Sequence, residues 1–238
     1  TALVASVYGG SVSLFLRDQV REAIASPSIL LDLVIGDAVE VDTNLDPPRI
    51  LSRLPRRTEL KRTRAEGGSR HHKQIQIIAA NIDKAVIVAT ATQPAFEPEL
   101  VDRYIILCRS SHIEPVICVN KADLTDERHP ALNEYRKNGL SVIETSPKTG
   151  LGLDELRSVI RRTHTILLGK SGAGKSSLIN AILPSANIKT QTMNERAQQG
   201  QHTTTRSDIH AWEADSYIID TPGIRMLDIS HLDTDDIA

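Results

Sequence analysis

The sequence predicts an α/β protein in which a small β-barrel or sandwich precedes a larger domain built on a mostly parallel sheet, and three observations carry that prediction. Up to about residue 57, apolar runs are short and separated by turn signals: TALVASVYGG, SVSLFL, LVIGDAVEV and, after the Pro47-Pro48 break, RILSRL. From Lys84 onward, strand-length apolar runs alternate with segments of helical spacing. A glycine-rich loop, Gly169 to Ser176, stands between one such strand and one such helix. Closely spaced short strands form barrels or sandwiches. Strands alternating with helices build a parallel sheet covered by those helices.

Size and composition agree. A chain of 238 residues has room for two domains of ordinary size, and 40% hydrophobic with 24% charged residues excludes disordered and collagen-like classes. No apolar run approaches the roughly 18 to 20 residues that span a bilayer, and the N-terminus lacks a secretory pattern. The expectation is a cytoplasmic monomer with no membrane partner. Cys108 and Cys118 fall in a helical and a strand pattern without clustered Cys or His, so they read as core thiols rather than zinc ligands. The chain starts at Thr1 and stops after HLDTDDIA, which reads as part of a longer protein.

Taken in order, residues 1–60 are assigned to the barrel. Within them REAIASPSILLD fits either a helix or an irregular insertion. Residues 61–73 read as a mobile basic linker. Between Arg53 and Lys73 eight basic residues face two glutamates, apolar residues are sparse, and Gly67-Gly68-Ser69 favours flexibility. Residues 74–238 form the larger domain. Its strands are KAVIVAT, PVICVN, LSVIETS, THTILLG, SDIHAW and SYIID; its helices are PELVDRYIILCRSSH, LDELRSVIRR and GKSSLINAIL. A polar stretch runs from about Ile188 to Arg206.

The loop Gly169-Lys170-Ser171-Gly172-Ala173-Gly174-Lys175-Ser176 fits GxxxxGK[ST]. Glycines let the backbone curl until several N–H groups face one anion, and the following helix adds its positive end. Gly169, Ser171, Gly172, Ala173, Gly174, Lys175, Ser176 and Ser177 are therefore candidates for binding a nucleotide's phosphates, with Lys175 reaching the β and γ phosphates and Ser176 binding Mg²⁺. Asp220-Thr221-Pro222-Gly223 follows SYIID. There Asp220 can reach Mg²⁺ through water and the Gly223 N–H can face a γ phosphate.

Asn120-Lys121-Ala122-Asp123 is a weak signal by length but specific in chemistry. The Asp123 carboxylate can accept from both N1–H and the N2 amino group of guanine, whereas adenine offers a lone pair at N1. An unpaired buried acceptor costs about 1 to 3 kcal/mol, which disfavours a P-loop ATPase or kinase. Asn120 would brace the loops and the Lys121 stem would lie over the base. Thr145-Ser146-Pro147-Lys148 places Ser146, Lys148 and backbone N–H groups where guanine O6 needs a donor. The base-reading segment thus begins 49 positions before the phosphate loop (169 minus 120). The NKxD segment, the SxK segment, the phosphate loop, the polar stretch in the switch position and DxxG each occur once, in an order rotated from that of the usual GTPase, which marks a circularly permuted GTPase domain. Its DTPG switch leads directly into whatever follows Ala238.

These stretches, with IGDAVEV, IIAANID, FEPELVDRYI, NKADL, GKSGAGKSSLIN, GQHTTT and DTPGIR, resemble the RsgA (YjeQ) family of circularly permuted GTPases, which assist maturation of the small ribosomal subunit. The resemblance implies an N-terminal OB-fold, a GTPase domain from near Gln74, and a C-terminal domain that binds Zn²⁺ and lies outside this chain. It also implies that GQHTTT is switch I. Ile224 follows Gly223 where Ras-like proteins carry a glutamine, so the resemblance points to His202 as the catalytic residue that orients water. Among Thr203, Thr204 and Thr205, Thr204 is expected to complete the Mg²⁺ shell with Ser176 and Asp220. Asn81 and Asp83 of AANID match the family, but read as ending one strand and turning into the next. The other histidines, His164 among them, show no ligand spacing.

The basic stretch fits either a solvated linker or contact with rRNA phosphates. Only Tyr8 and Phe15 precede Gln74 as aromatics, too few to stack successive bases, so structured RNA read by shape is expected. The leading expectation is a GTP/GDP-cycling hydrolase that binds the small (30S) subunit, is stimulated by it, and leaves on hydrolysis. The alternatives are an RNA-binding scaffold with negligible turnover and a permuted GTPase acting on the large subunit.

Overall fold

A computed structural model describes residues 1–16, 19–65, 73–183, 208–213 and 215–220. The N-terminal strands are β1 (Ala2–Tyr8), β2 (Ser11–Leu16), β3 (Gln19–Ala23), β4 (Ala38–Asp42) and β5 (Arg49–Arg53), with the one-turn helix α1 (Pro27–Leu30) between β3 and β4. They pair antiparallel in the order β3-β2-β1-β4-β5. Just past β3, Ile24 bridges Arg49 in parallel: Ile24 N donates to Pro48 O at 2.9 Å, and Ile50 N to Ile24 O at 2.8 Å. That bridge closes the sheet, giving the five-stranded barrel of an OB-fold. Alternate residues point inward, so Val4, Val12, Leu14, Val39 and Ile50 fill the barrel.

Two details refine the sequence reading. In REAIASPSILLD the strand ends at Ala23, and the Ser26 hydroxyl, accepting from Ile29 N at 3.4 Å, caps α1. LVIGDAVEV becomes strand only from Ala38. Gly36, at φ 86°, turns the chain, and buried Asp37 holds the turn by accepting from Val34 N at 2.8 Å and pairing with Arg56 Nε at 2.7 Å.

The basic stretch is not a structureless tether. β6 (Glu59–Ala65) pairs antiparallel with β7 (Lys73–Ala80), so residues 61–65 and 73 of the interval read as linker are strand. Nor are its cations all available to RNA. Arg53 pairs with Asp32, Arg56 with Asp37, Arg57 with Asp83 and Lys61 with Glu59. Counting charges along the chain could not show that Arg53, Arg56, Arg57 and Lys61 are matched by carboxylates of the folded protein.

The second domain carries β8 (Lys84–Thr90), α2 (Pro98–Ser110), β9 (Glu114–Asn120), α3 (Ala131–Lys137), β10 (Ser141–Glu144), α4 (Leu153–Ile160), β11 (His164–Leu168), α5 (Lys175–Ile182), β12 (Asp208–Glu213) and β13 (Ser216–Asp220). The sheet order is β10-β9-β8-β11-β13-β12, parallel except for β12. Strand alternation sorts the core into two layers. Ile87, Ile117, Val119, Ile166 and Leu168 pack towards Tyr104, Leu107 and Cys108 of α2. Val86, Val88, Cys118, Ile143 and Leu167 pack towards Leu156 and Ile160 of α4 and Leu178, Ile179 and Ile182 of α5. The pattern analysis did not single out α3, whose seven residues show too little periodicity.

Barrel and sheet share one core, since Ala5, Ile35 and Leu60 cluster with Ile82, Ala85 and Ile87. Phe15 meets Tyr217 edge-on at 5.3 Å, and Tyr217 meets His164 at 4.9 Å. Burial pushes the His164 imidazole below its usual range, only partly offset by the Asp83 carboxylate. The folded state therefore favours the neutral ring. Its contribution to stability is complete above the unfolded value of about 6.5 and is lost as pH falls from there through the lowered folded value. His164→Gln should accordingly show a smaller fall in thermal midpoint between about pH 7.5 and pH 5.5 than the parent chain.

Candidate functional site

The strand order places every candidate loop on one edge. The phosphate loop leaves the C-terminal end of β11, NKAD that of β9, Ser146 follows β10, and Asp220 ends β13, all parallel neighbours or next-neighbours. Ligands of open α/β sheets bind at this edge, beside the strand where the order reverses.

The base-reading and phosphate segments touch. Asn120, 1% exposed, donates from Nδ2 to Ala173 O at 2.9 Å. Its Oδ1 lies 3.4 Å from the Thr145 hydroxyl, and Ala122 N donates to Thr145 O at 3.1 Å. One side chain thus binds the NKAD, Thr145-Ser146 and phosphate loops together. Lys121 takes φ 59°, a left-handed conformation rare for a lysine. The turn buries Asn120 and leaves Asp123 exposed at the start of a single 3₁₀ turn, Ala122–Leu124.

The phosphate loop owes its shape to glycine. Gly169 and Gly174 have φ 144° and 92°; a Cβ would lie 2.3 Å from Val88 O at the first and 2.2 Å from Asn120 Nδ2 at the second. Gly172 also has positive φ, 84°. Gly174 is the N-cap of α5, so Lys175, Ser176 and Ser177 occupy its first turn, where the positive end of the helix dipole favours an anion. Lys175 Nζ donates to Gly169 O at 2.7 Å and Lys170 O at 3.1 Å, bending back over the loop. Ser171 and Gly172 are half-buried and Ala173 is buried.

Ser146 is fully buried, its hydroxyl accepting from Thr149 N at 3.3 Å, while Lys148 is exposed. Ser176, in the first turn of α5, and Asp220, the last residue of β13, supply a hydroxyl and a carboxylate, oxygen donors that suit a hard divalent cation. His202, Thr204 and Gly223 lie outside the described residues.

Pattern reading missed the strap after β8. Lys121 Nζ donates to Gln93 O at 2.5 Å, and Lys170 Nζ pairs with Glu97 Oε1 at 2.6 Å. The strap is thereby fastened to both nucleotide-facing loops, and partial burial pushes the Lys121 ammonium down. Arg128 pairs with Glu144, tying the segment after NKAD to the strand that carries Ser146. None of these pairs has a sequence signature, because each joins residues distant in the chain.

Comparison with known proteins agrees with this geometry. The family profile of the RsgA GTPase matches residues 53–230. The small ribosomal subunit biogenesis GTPase RsgA of Pseudomonas aeruginosa (strain LESB58) is 37% identical over 193 residues, covering 79% of this chain and 55% of the relative. That of Alkaliphilus metalliredigens (strain QYMF) is 33% identical over 210 residues, covering 86% and 67%. The chain therefore spans about half the length of the Pseudomonas relative. Among solved structures, YjeQ from Thermotoga maritima superposes with a TM-score of 0.74 at 25% identity, covering 99% of this chain and 79% of that one. YloQ, a circularly permuted GTPase, shares the fold with a TM-score of 0.67 at 23% identity over 99% and 75%.

Proposed function

The chain belongs to the RsgA GTPase family, and from that premise we propose that it binds GTP across the loop-bearing edge of its sheet and hydrolyses it on the small ribosomal subunit. The observation that carries this reading is the 2.9 Å bond from Asn120 Nδ2 to Ala173 O, which brings the carboxylate-bearing NKAD turn against the phosphate loop. One guanine nucleotide then spans both. Asp123 reads the base edge, Ser146 and the neighbouring N–H groups face O6, and the Lys121 stem covers the ring. Residues 169–177 wrap the phosphates. Ser176, Asp220 through water, and Thr204 would hold Mg²⁺, which when bound offsets charge on the β and γ phosphate oxygens. Gly223 N–H would contact the γ phosphate and His202 would orient the attacking water.

We divide the chain functionally into a barrel over 1–60, a basic linker over 61–73 and the GTPase domain over 74–238. A monomer working in the cytoplasm suits this assignment. The P. aeruginosa relative is named for small-subunit biogenesis, which supports the same partner here. The test is GTP turnover with and without purified small subunits. Stimulation of tenfold or more is expected, abolished by His202→Ala with GTP binding retained. Turnover unchanged by saturating small subunits would overturn the assignment, and stimulation by large subunits alone would redirect it.

A further inference from the structure

The turn between β7 and β8 makes more bonds than a flexible junction needs. Asn81 is 5% exposed at φ 56°, and its amide is used twice: Oδ1 accepts from Arg57 N at 2.8 Å and Nδ2 donates to Gly36 O at 2.8 Å. Asn81 N donates to Thr58 O at 2.9 Å, and Ala80 N to Ile35 O at 3.0 Å. Gly36 presses so closely on this strand that a Cβ there would lie 2.2 Å from Ala80 O. On the other side, Asp83 accepts from Arg57 Nη1 and from His164 N, both at 2.8 Å, and Asp83 O accepts from Glu114 N at 3.1 Å. One three-residue turn is thus bonded to the barrel, the hairpin and the first residues of β9 and β11.

We propose that this turn, acting with the core that barrel and sheet share, locks the two into a single rigid body. A freely linked RNA-binding module would let the two faces find separate contacts. A rigid pair instead holds the barrel surface and the loop-bearing edge at one separation, so a partner must present two contact points at that spacing to gain from both. Structured RNA of fixed shape meets that condition, and short flexible RNA does not. The inference concerns domain geometry and holds whether or not the chain turns over GTP.

Distance distributions between spin labels test it on the whole chain. One pair joins Tyr8→Cys on the barrel to Glu155→Cys on α4; the other joins Leu31→Cys to Lys137→Cys, all at exposed positions. The native Cys108 and Cys118 are buried, with thiols pushed up to about 12, so labels attach to the introduced cysteines. The expected result is one narrow distance for each pair, unmoved by a non-hydrolysable GTP analogue, with broadening in Asn81→Ala. Should Asn81→Ala fail to fold, Asn81→Asp, which keeps the acceptor for Arg57 N but loses the donor to Gly36 O, is expected to broaden the distances too. A broad distribution in the parent chain, a shift with nucleotide, or no broadening in the folded variants would overturn the proposal. Nucleotide affinity measured on the same samples separates this outcome from a failure of the GTPase assignment.

Discussion

Asp123→Asn is expected to weaken GTP binding by about a hundredfold or more. A carboxylate accepting from N1–H and the N2 amino group makes two charge-assisted bonds, each contributing about 1.5 to 3 kcal/mol. An asparagine keeps at most one acceptor there and points N–H groups at the guanine amino group. Loss of about 3 kcal/mol corresponds to a factor near 150. Asp123 is exposed on its 3₁₀ turn, so the substitution should leave the fold intact. Titration with fluorescent GTP checks the loss. Xanthosine triphosphate provides the control, because its C2 oxygen accepts from the new amide; affinity for it should rise as affinity for GTP falls. A variant that binds GTP like the parent chain would remove Asp123 from the site.

Gly174→Ala should have an effect of similar size by a different route. At φ 92° an alanine is strained by about 1 to 2 kcal/mol. Its Cβ would also stand 2.2 Å from Asn120 Nδ2, so that amide must withdraw. Withdrawal breaks the bond to Ala173 O and leaves a buried group unpaired, at a further cost of about 1 to 3 kcal/mol. Both loops shift, and nucleotide affinity should fall roughly a hundredfold, with a lower thermal midpoint. Gly139→Ala separates the two causes. Gly139 has φ 77° with open space around it, so it reports dihedral strain alone and should leave nucleotide affinity unchanged.

Much of this candidate site was legible in the chain because the patterns that mark it are local. A phosphate cradle requires glycines at fixed offsets within eight residues, and a guanine reader needs its aspartate three places after an asparagine. The rotated motif order was also legible, since a parallel sheet fixes which strand ends are neighbours whatever the order of the chain. Contacts between distant segments left no such trace. Glu97 and Lys170 are 73 positions apart, and nothing in FEPEL announces a partner in the phosphate loop. The basic stretch misled for a related reason: charge is additive along a sequence, but its availability depends on carboxylates such as Asp37 and Asp83 supplied by other strands. Asn81 read as a strand-ending residue. It is one, and it also carries the joint between the two domains.

The posture of Lys175 has a selective consequence. Its ammonium is already engaged by the carbonyls of Gly169 and Lys170, so an arriving anion has to outcompete two good acceptors before gaining anything from that charge. A lone orthophosphate offers little beyond the exchange. A nucleotide held as proposed would bring a second anchor some distance away, and that surplus would let it win the ammonium, leaving abundant small anions in the surrounding fluid poor rivals for the pocket.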